Sequence, residues 1–187
     1  MLKALIIDHF DSFTWNIKSW LERRFNVDVV SYNDIDILNA SQYQFIVISP
    51  GPKSPFDFPK TSIFLQNCPP HQAILGICLG MQIMTITEGG STETYSPPYH
   101  GKTSSLIFLT KSENIRILKD IKVARYHSIK CQPSNQFEIL AQTNDDAVDM
   151  IIRHKYKNWL GFQFHPESFL TTQSEDLLQF IIKELNL

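Results

Sequence analysis

Three short stretches hold the residues whose types and spacing suit covalent chemistry. The run Ala73-Ile74-Leu75-Gly76-Ile77 leads into Cys78-Leu79-Gly80-Met81-Gln82, an apolar strand-like segment that turns helical at a cysteine boxed by two glycines. This is the pattern of a nucleophile elbow. A strand-to-helix turn that sharp brings neighbouring backbone against the nucleophile, so glycine two before and two after it removes the Cβ atoms that would collide. The sulfur then sits at a helix N-terminus, where the positive end of the dipole favours the thiolate that attacks a carbonyl. Glycine is scarce, 7 in 187 residues, and two of the seven flank this one cysteine. The competing reading of Cys78 is a buried core cysteine at a strand end.

A thiol nucleophile needs a base and a group to orient it. His165-Pro166-Glu167 supplies both, directly after the strand-like Trp159-Leu160-Gly161-Phe162-Gln163-Phe164. In extended chain, residues two apart point to the same side, so His165 and Glu167 sit together and the carboxylate fixes the imidazole tautomer. Taken alone, the tripeptide is an ordinary loop. The third stretch is Ser49-Pro50-Gly51-Pro52, after the buried-type strand Phe45-Ile46-Val47-Ile48. Neither proline has an N–H, which leaves Gly51 as the one backbone donor of that tripeptide. With the N–H of Leu79 it makes an oxyanion hole. The alternative is a tight turn that uses Pro and Gly for their dihedrals.

Taken together, these residues resemble the class I glutamine amidotransferases, and within them the small subunits of anthranilate synthase and aminodeoxychorismate (para-aminobenzoate) synthase. The resemblance spans nearly the whole chain: Asp8-His9-Phe10-Asp11-Ser12-Phe13-Thr14, Ser49 to Pro52, Gly76 to Gln82, His100-Gly101, Tyr126-His127-Ser128 and His165-Pro166-Glu167-Ser168. It implies that Cys78 attacks the side-chain amide of glutamine, with His165 as acid and base and Glu167 as its orienter. The family's glutamine pocket maps onto Gly51, Pro52, Lys53, Leu79, Gln82, Ser128 and Ile129. Gln82 lies one helical turn beyond Cys78, on the same face. The implied partner is a chorismate-binding synthase large subunit, in a heterodimer or heterotetramer. No cofactor is implied for this chain, and Mg2+ for the partner. Three positions depart from the pattern. Lys53 stands where many members carry glycine, Met81 where histidine is common, and Glu88 precedes Gly89-Gly90 where an aromatic residue is usual.

Composition sets the bounds. With 43% hydrophobic and 19% charged residues, the chain can bury one sizeable core, and it shows no repeat or long linker, so residues 1–187 read as one domain. Net charge is −2 without a basic cluster, which argues against nucleic acid as a partner. No apolar run approaches the ~20 residues of a membrane span, and Lys3 with its short apolar strand makes a poor signal peptide, so a cytoplasmic protein is expected. Cys68, Cys78 and Cys131 show no paired spacing, against a disulfide framework or zinc site; Cys68 and Cys131 read as structural.

The elements that must position these residues alternate as an α/β sheet requires. Strands are expected at Ala4 to Asp8, Val27 to Tyr32, Phe45 to Ser49 and Ala73 to Cys78, with helices near Phe13 to Arg24, Thr61 to Asn67 and after Cys78. Continuous apolar strands imply an open, mainly parallel twisted sheet covered by helices. Shorter, partly antiparallel strands are expected at Ser105 to Thr110, Val123 to Ser128, Phe137 to Thr143, Val148 to Arg153 and Trp159 to Phe164. The last helix carries a Thr172/Glu175 capping-box signature and a core stripe of Leu177, Leu178, Ile181, Ile182 and Leu185. Asp11 and Ser12 read either as helix caps or as a loop toward the synthase, and His127 as structural or as a second base. Two further functional classes stay open: a weakly catalytic binding or regulatory subunit, and a stand-alone cysteine hydrolase of gamma-glutamyl compounds.

Overall fold

The structure, a computed structural model, describes residues 1–37, 39–94 and 101–187. Its centre is a nine-stranded sheet in the order β2-β1-β3-β4-β11-β10-β9-β6-β7. Strands β1 (Leu2–Asp8), β2 (Phe25–Ser31), β3 (Phe45–Ile48), β4 (Ala73–Ile77) and β11 (Trp159–Phe162) are parallel. Strands β6 (Lys102–Phe108), β7 (Lys122–Arg125), β9 (Phe137–Thr143) and β10 (Asp149–His154) extend it antiparallel.

Strand alternation divides the core into two layers. Ala4, Ile6, Val47, Leu75 and Ile77 face α1 (Thr14–Leu21) and α4 (Ser174–Glu184), meeting Ile17, Leu21, Leu177 and Phe180. Leu5, Ile7, Ile46, Ile48 and Ile74 face α2 (Pro59–Asn67) and α3 (Leu79–Thr87), meeting Leu65, Ile83 and Met84. Burial on both faces explains why these strands are continuously apolar. The fold is therefore the expected α/β sheet flanked by helices.

Several local expectations are corrected. The α4 cap is not Thr172: helix α4 begins after Gln173, which is left-handed and makes no side-chain cap bond. Thr172 Oγ1 instead accepts the Lys122 N–H at 3.0 Å, and Glu175 pairs with Arg24, so cross-chain partners outcompeted the local box. Strand β7 stops at Arg125, because Tyr126 to Ser128 leave the sheet to line a cavity. A two-stranded sheet of β5 (Ser91–Thr94) and β8 (Ile129–Gln132), packed on α3, was not anticipated. Its four-residue strands are too short to show a period. Among the described residues no helix is long and apolar enough to cross a membrane.

Candidate active site

Cys78 sits between β4 and α3 with φ 50° and ψ −101°, a strained conformation for a residue with a side chain. The flanking glycines are required by packing. A Cβ on Gly76 would lie 2.6 Å from the Gly80 carbonyl carbon, and one on Gly80 would lie 2.3 Å from the Ile48 carbonyl oxygen. Helix α3 thus presses onto β3 and β4, and the elbow has no slack. The Cys78 N–H donates to the Phe162 carbonyl at 2.6 Å, which ties the nucleophile to β11.

Past Phe162 the chain leaves the ladder and delivers its polar side chains to the sulfur. Phe162 and Phe164 stack at 4.8 Å between ring centroids and join the core, while Gln163 and His165 point the other way. The His165 N–H bonds the Ala124 carbonyl at 3.1 Å, so β7 braces the histidine. His165 Nδ1 and Glu167 Oε1 are 2.6 Å apart, both side chains buried. Phe13 and Tyr126 each lie 5.1 Å from the imidazole, walling it with aromatic surface. Burial opposes the imidazolium, but the Glu167 charge and hydrogen bonds to Cys78 and Glu167 outweigh it and hold His165 well above the usual histidine range. With Nδ1 taken by Glu167, Nε2 is left for the sulfur. Glu167 Oε2 is buried and has no partner among the described residues.

A cavity of about 200 Å³ is lined by Cys78, Gly51, Pro52, Lys53, Gln82, Tyr126, His127, Ser128 and Ile129. Every residue the sequence assigned to the glutamine pocket is in that lining except Leu79. Leu79 opens α3, where its N–H has no intrahelical acceptor, and its side chain packs on Gly51. The volume suits a single amino acid rather than the ~300–1,000 Å³ of larger ligand sites. A larger hollow of about 460 Å³ lies at the opposite, amino ends of the strands around Leu2, Tyr43, Gln72 and Asn158, with no cysteine in its lining.

The departures from the family pattern now have positions. Lys53 has φ 68°, a conformation glycine adopts at less cost. Met81 is buried against Gly161 in the α3 core. Glu88 ends α3 and bonds Lys157 at 2.6 Å and His154 at 3.3 Å, away from the cavity. Neither polar residue ahead of α1 caps it: the N-cap is Phe13, without a side-chain cap bond, and Asp11 instead accepts the Phe13 N–H at 2.7 Å in the turn before the helix. His100 lies outside the described residues, and Gly101 has φ 64°. Cys68 and Cys131 are buried free thiols, pushed up to about 11 and about 12 by burial.

Two supports were missed by sequence reasoning. Buried His9 sits beneath the Pro50-Gly51-Pro52 loop, with Nε2 2.8 Å from Thr61 Oγ1 and its N–H on Ser49 Oγ at 2.9 Å. Arg125, fully buried, forks onto Asp146 at 2.8 and 3.1 Å and donates Nε–H to His127 Nε2 at 3.1 Å. His127 Nδ1–H then donates to the Ile129 carbonyl at 3.0 Å, which makes His127 a brace of the cavity wall.

Both histidines are held neutral. Burial lowers His9 to about 4, and burial with the Arg125 charge does the same for His127. A depressed histidine binds no proton when folded, whereas the unfolded chain takes one below its ordinary 6.5. Stability from this source is therefore complete above pH 6.5 and falls as pH drops toward 4. His165, shifted upward, works in the opposite sense: its contribution grows as pH falls toward 6.5 and is constant below that, and it cancels when the parent is compared with a His127 variant. The expected loss between pH 7.5 and 5 is about 2 kcal/mol per histidine. Urea unfolding at the two pH values measures it, and His127→Gln should flatten the difference; an unchanged slope would refute the assignment.

Similarity to known proteins shows the family. Residues 5–184 match the family model Glutamine amidotransferase class-I. The chain is 32% identical over 190 residues to anthranilate synthase component 2 of Halobacterium salinarum, covering 95% of each. It is 34% identical over 183 residues to aminodeoxychorismate synthase component 2 of Escherichia coli, covering 93% of this chain and 96% of that one. In fold it is similar, at a TM-score of 0.75 and 15% identity, to a glutamine amidotransferase of Thermotoga maritima, over 99% and 96% of the two chains. A cysteine elbow beside a paired His and carboxylate on an α/β sheet is an arrangement that can support acyl transfer through sulfur. The chain belongs to the class I glutamine amidotransferases.

Proposed function

We propose that this chain is the glutaminase subunit of a chorismate-using synthase, hydrolysing L-glutamine through a Cys78-His165-Glu167 triad and passing on the ammonia. The observation that carries the reading is the raised, Glu167-bonded His165 aimed at a cysteine that opens on an amino-acid-sized cavity. The Cys78 sulfur attacks the δ carbonyl carbon of glutamine. The Gly51 and Leu79 N–H groups receive the oxyanion. His165 protonates the leaving nitrogen, so ammonia departs and a glutamyl thioester remains. The neutral imidazole then takes a proton from water, whose oxygen displaces the sulfur and releases glutamate. Pro52, Lys53, Gln82, Ser128 and Ile129 hold the rest of the substrate. The reaction calls on no cofactor of this chain; Mg2+ is assigned to the partner.

An exposed apolar rim supports a docked partner. Phe10, Trp15, Phe56 and Phe169 are 53%, 65%, 70% and 92% exposed. All four lie in segments that follow the carboxyl ends of β1, β3 and β11, the edge that carries the site. Large apolar side chains exposed along one edge suit a docking surface. A chorismate-binding partner covering this edge would receive ammonia directly, and we place the complex in the cytoplasm. Mixing the chain with such a partner, chorismate and glutamine should give anthranilate or aminodeoxychorismate. Glutamate release with no transfer of nitrogen to chorismate would favour the stand-alone hydrolase.

The division of labour predicts unequal mutant effects. His165→Ala should lower glutaminase turnover by about 10²–10⁴-fold, whereas Glu167→Gln should cost less, because an imidazole that has lost its orienter remains in reach. Steady-state kinetics on folded variants check this. A larger loss in Glu167→Gln would reverse the roles.

A further inference from the structure

Gln163 is a polar side chain with no solvent exposure, and the triad makes no use of it. Its Nε2 lies 3.6 Å from Cys78 Sγ, and its Oε1 lies 3.7 Å from Cys131 Sγ. The amide therefore bridges two thiols, one on the elbow and one on β8. Its direction follows from chemistry. Cys131 is buried and keeps its proton, so it is the donor and faces the amide oxygen. The NH2 end is thereby turned to the nucleophile. A buried amide with both ends engaged cannot rotate without losing both bonds.

We propose that Gln163 is a further catalytic residue, whose carboxamide, oriented by the Cys131 thiol, donates a hydrogen bond to Cys78 Sγ and holds it as thiolate before glutamine arrives. The inference rests on the glutaminase reading for its purpose but not for its test. A hydrogen bond to a charged acceptor is worth more than one to a neutral acceptor, so an N–H aimed at sulfur selects the anion over the thiol. The other titratable groups near the sulfur are His165, with Glu167 behind it, and, in the cavity lining, Lys53, Tyr126 and His127; the Tyr126 hydroxyl is engaged with Ser168 Oγ at 3.2 Å. His127 is held neutral and Lys53 is exposed, which leaves His165 and Gln163 as the buried donors to Sγ. Cys131 is then a positioning residue that acts through the amide.

The test reads the sulfur without glutamine. The rate of Cys78 alkylation by iodoacetamide is followed against pH, with mass spectrometry locating the label; the raised Cys68 and Cys131 give little background. Gln163→Leu should move the pH midpoint up by about one unit, a tenfold smaller thiolate fraction at a fixed pH below it. Cys131→Ala frees the amide and should also raise the midpoint. Cys131→Ser retains a hydroxyl donor and should restore the parent profile. A folded Gln163→Leu protein with the parent midpoint would overturn the proposal. Should Gln163→Leu not fold, the Cys131 pair decides, equal midpoints in alanine and serine variants counting against it. Because alkylation needs no substrate, a midpoint shift with no glutaminase activity even in the docked complex would sink the functional reading alone. Intact activity with no shift would sink the role of Gln163 alone.

Discussion

Cys78→Ala is expected to lower glutamine-dependent product formation by about 10⁴-fold or more while the assembled complex still uses added ammonia. Under the proposed function the asymmetry arises because the thioester would be made only on this chain, whereas nitrogen transfer would belong to the partner's site. Alanine is also a mild change at this position. It retains the Cβ at φ 50° and the N–H that bonds Phe162, so the elbow and the loops around it stay in place. The measurement is product formed from chorismate with glutamine and with ammonium, in parallel, on the same preparation. Equal loss with both nitrogen sources would mean that Cys78 holds the complex together structurally. A glutamine analogue with an electrophile at the δ position should label Cys78 and spare Cys68 and Cys131, whose thiols burial keeps protonated. Comparable labelling of either would contradict the assignment.

The site was legible where local backbone demands dictate residue type. Gly76, Cys78 and Gly80 stand together because a sharp turn under a pressed-down helix excludes Cβ atoms, and His165 with Glu167 needs only the two-residue alternation of an extended chain. The parallel half of the sheet was readable for a similar reason, since strands buried on both faces must be apolar throughout. The supports were not legible, because their partners lie far along the chain. His9 meets Thr61 52 residues away, and Gln163 meets Cys78 85 residues away. Within Trp159 to Phe164 nothing local gives the lone glutamine a partner, and only the assembled sheet sets it between two thiols. The Thr172/Glu175 box failed in the opposite sense: a valid local signal lost to Lys122 and Arg24, neighbours that only tertiary structure supplies.

The second large effect concerns the partner. Free ammonia is wasted in solution and mostly protonated at neutral pH, so a glutaminase serving a synthase gains by staying slow until docked. The isolated chain should therefore turn over slowly, and partner binding should raise kcat by up to about 10²–10³, the worth of one oxyanion donor, with a smaller effect on KM. The loop that carries Gly51 is built as a pivot. On one side, Ser49 is anchored by the His9 N–H and donates its hydroxyl to the Pro50 carbonyl at 2.6 Å; on the other, Lys53 holds a left-handed φ. Between these fixed points the two prolines are stiff, and rotation is left to the peptide at Gly51. The exposed Phe56 lies just beyond the loop, where a docking partner would reach it. A Cβ on Gly51 would approach Leu79 Cδ2 to 2.5 Å and the His9 carbonyl oxygen to 2.9 Å. The Leu79 methyl can turn aside but the His9 backbone cannot, so Gly51→Ala must shift the loop off His9 and displace the Gly51 N–H. Its kcat should stay near the undocked level even with the partner and chorismate present, while Cys78 remains open to alkylation. Turnover measured with and without the partner decides the matter. Full activity in the isolated chain, unchanged on docking, would replace a gated oxyanion hole with a constitutive one.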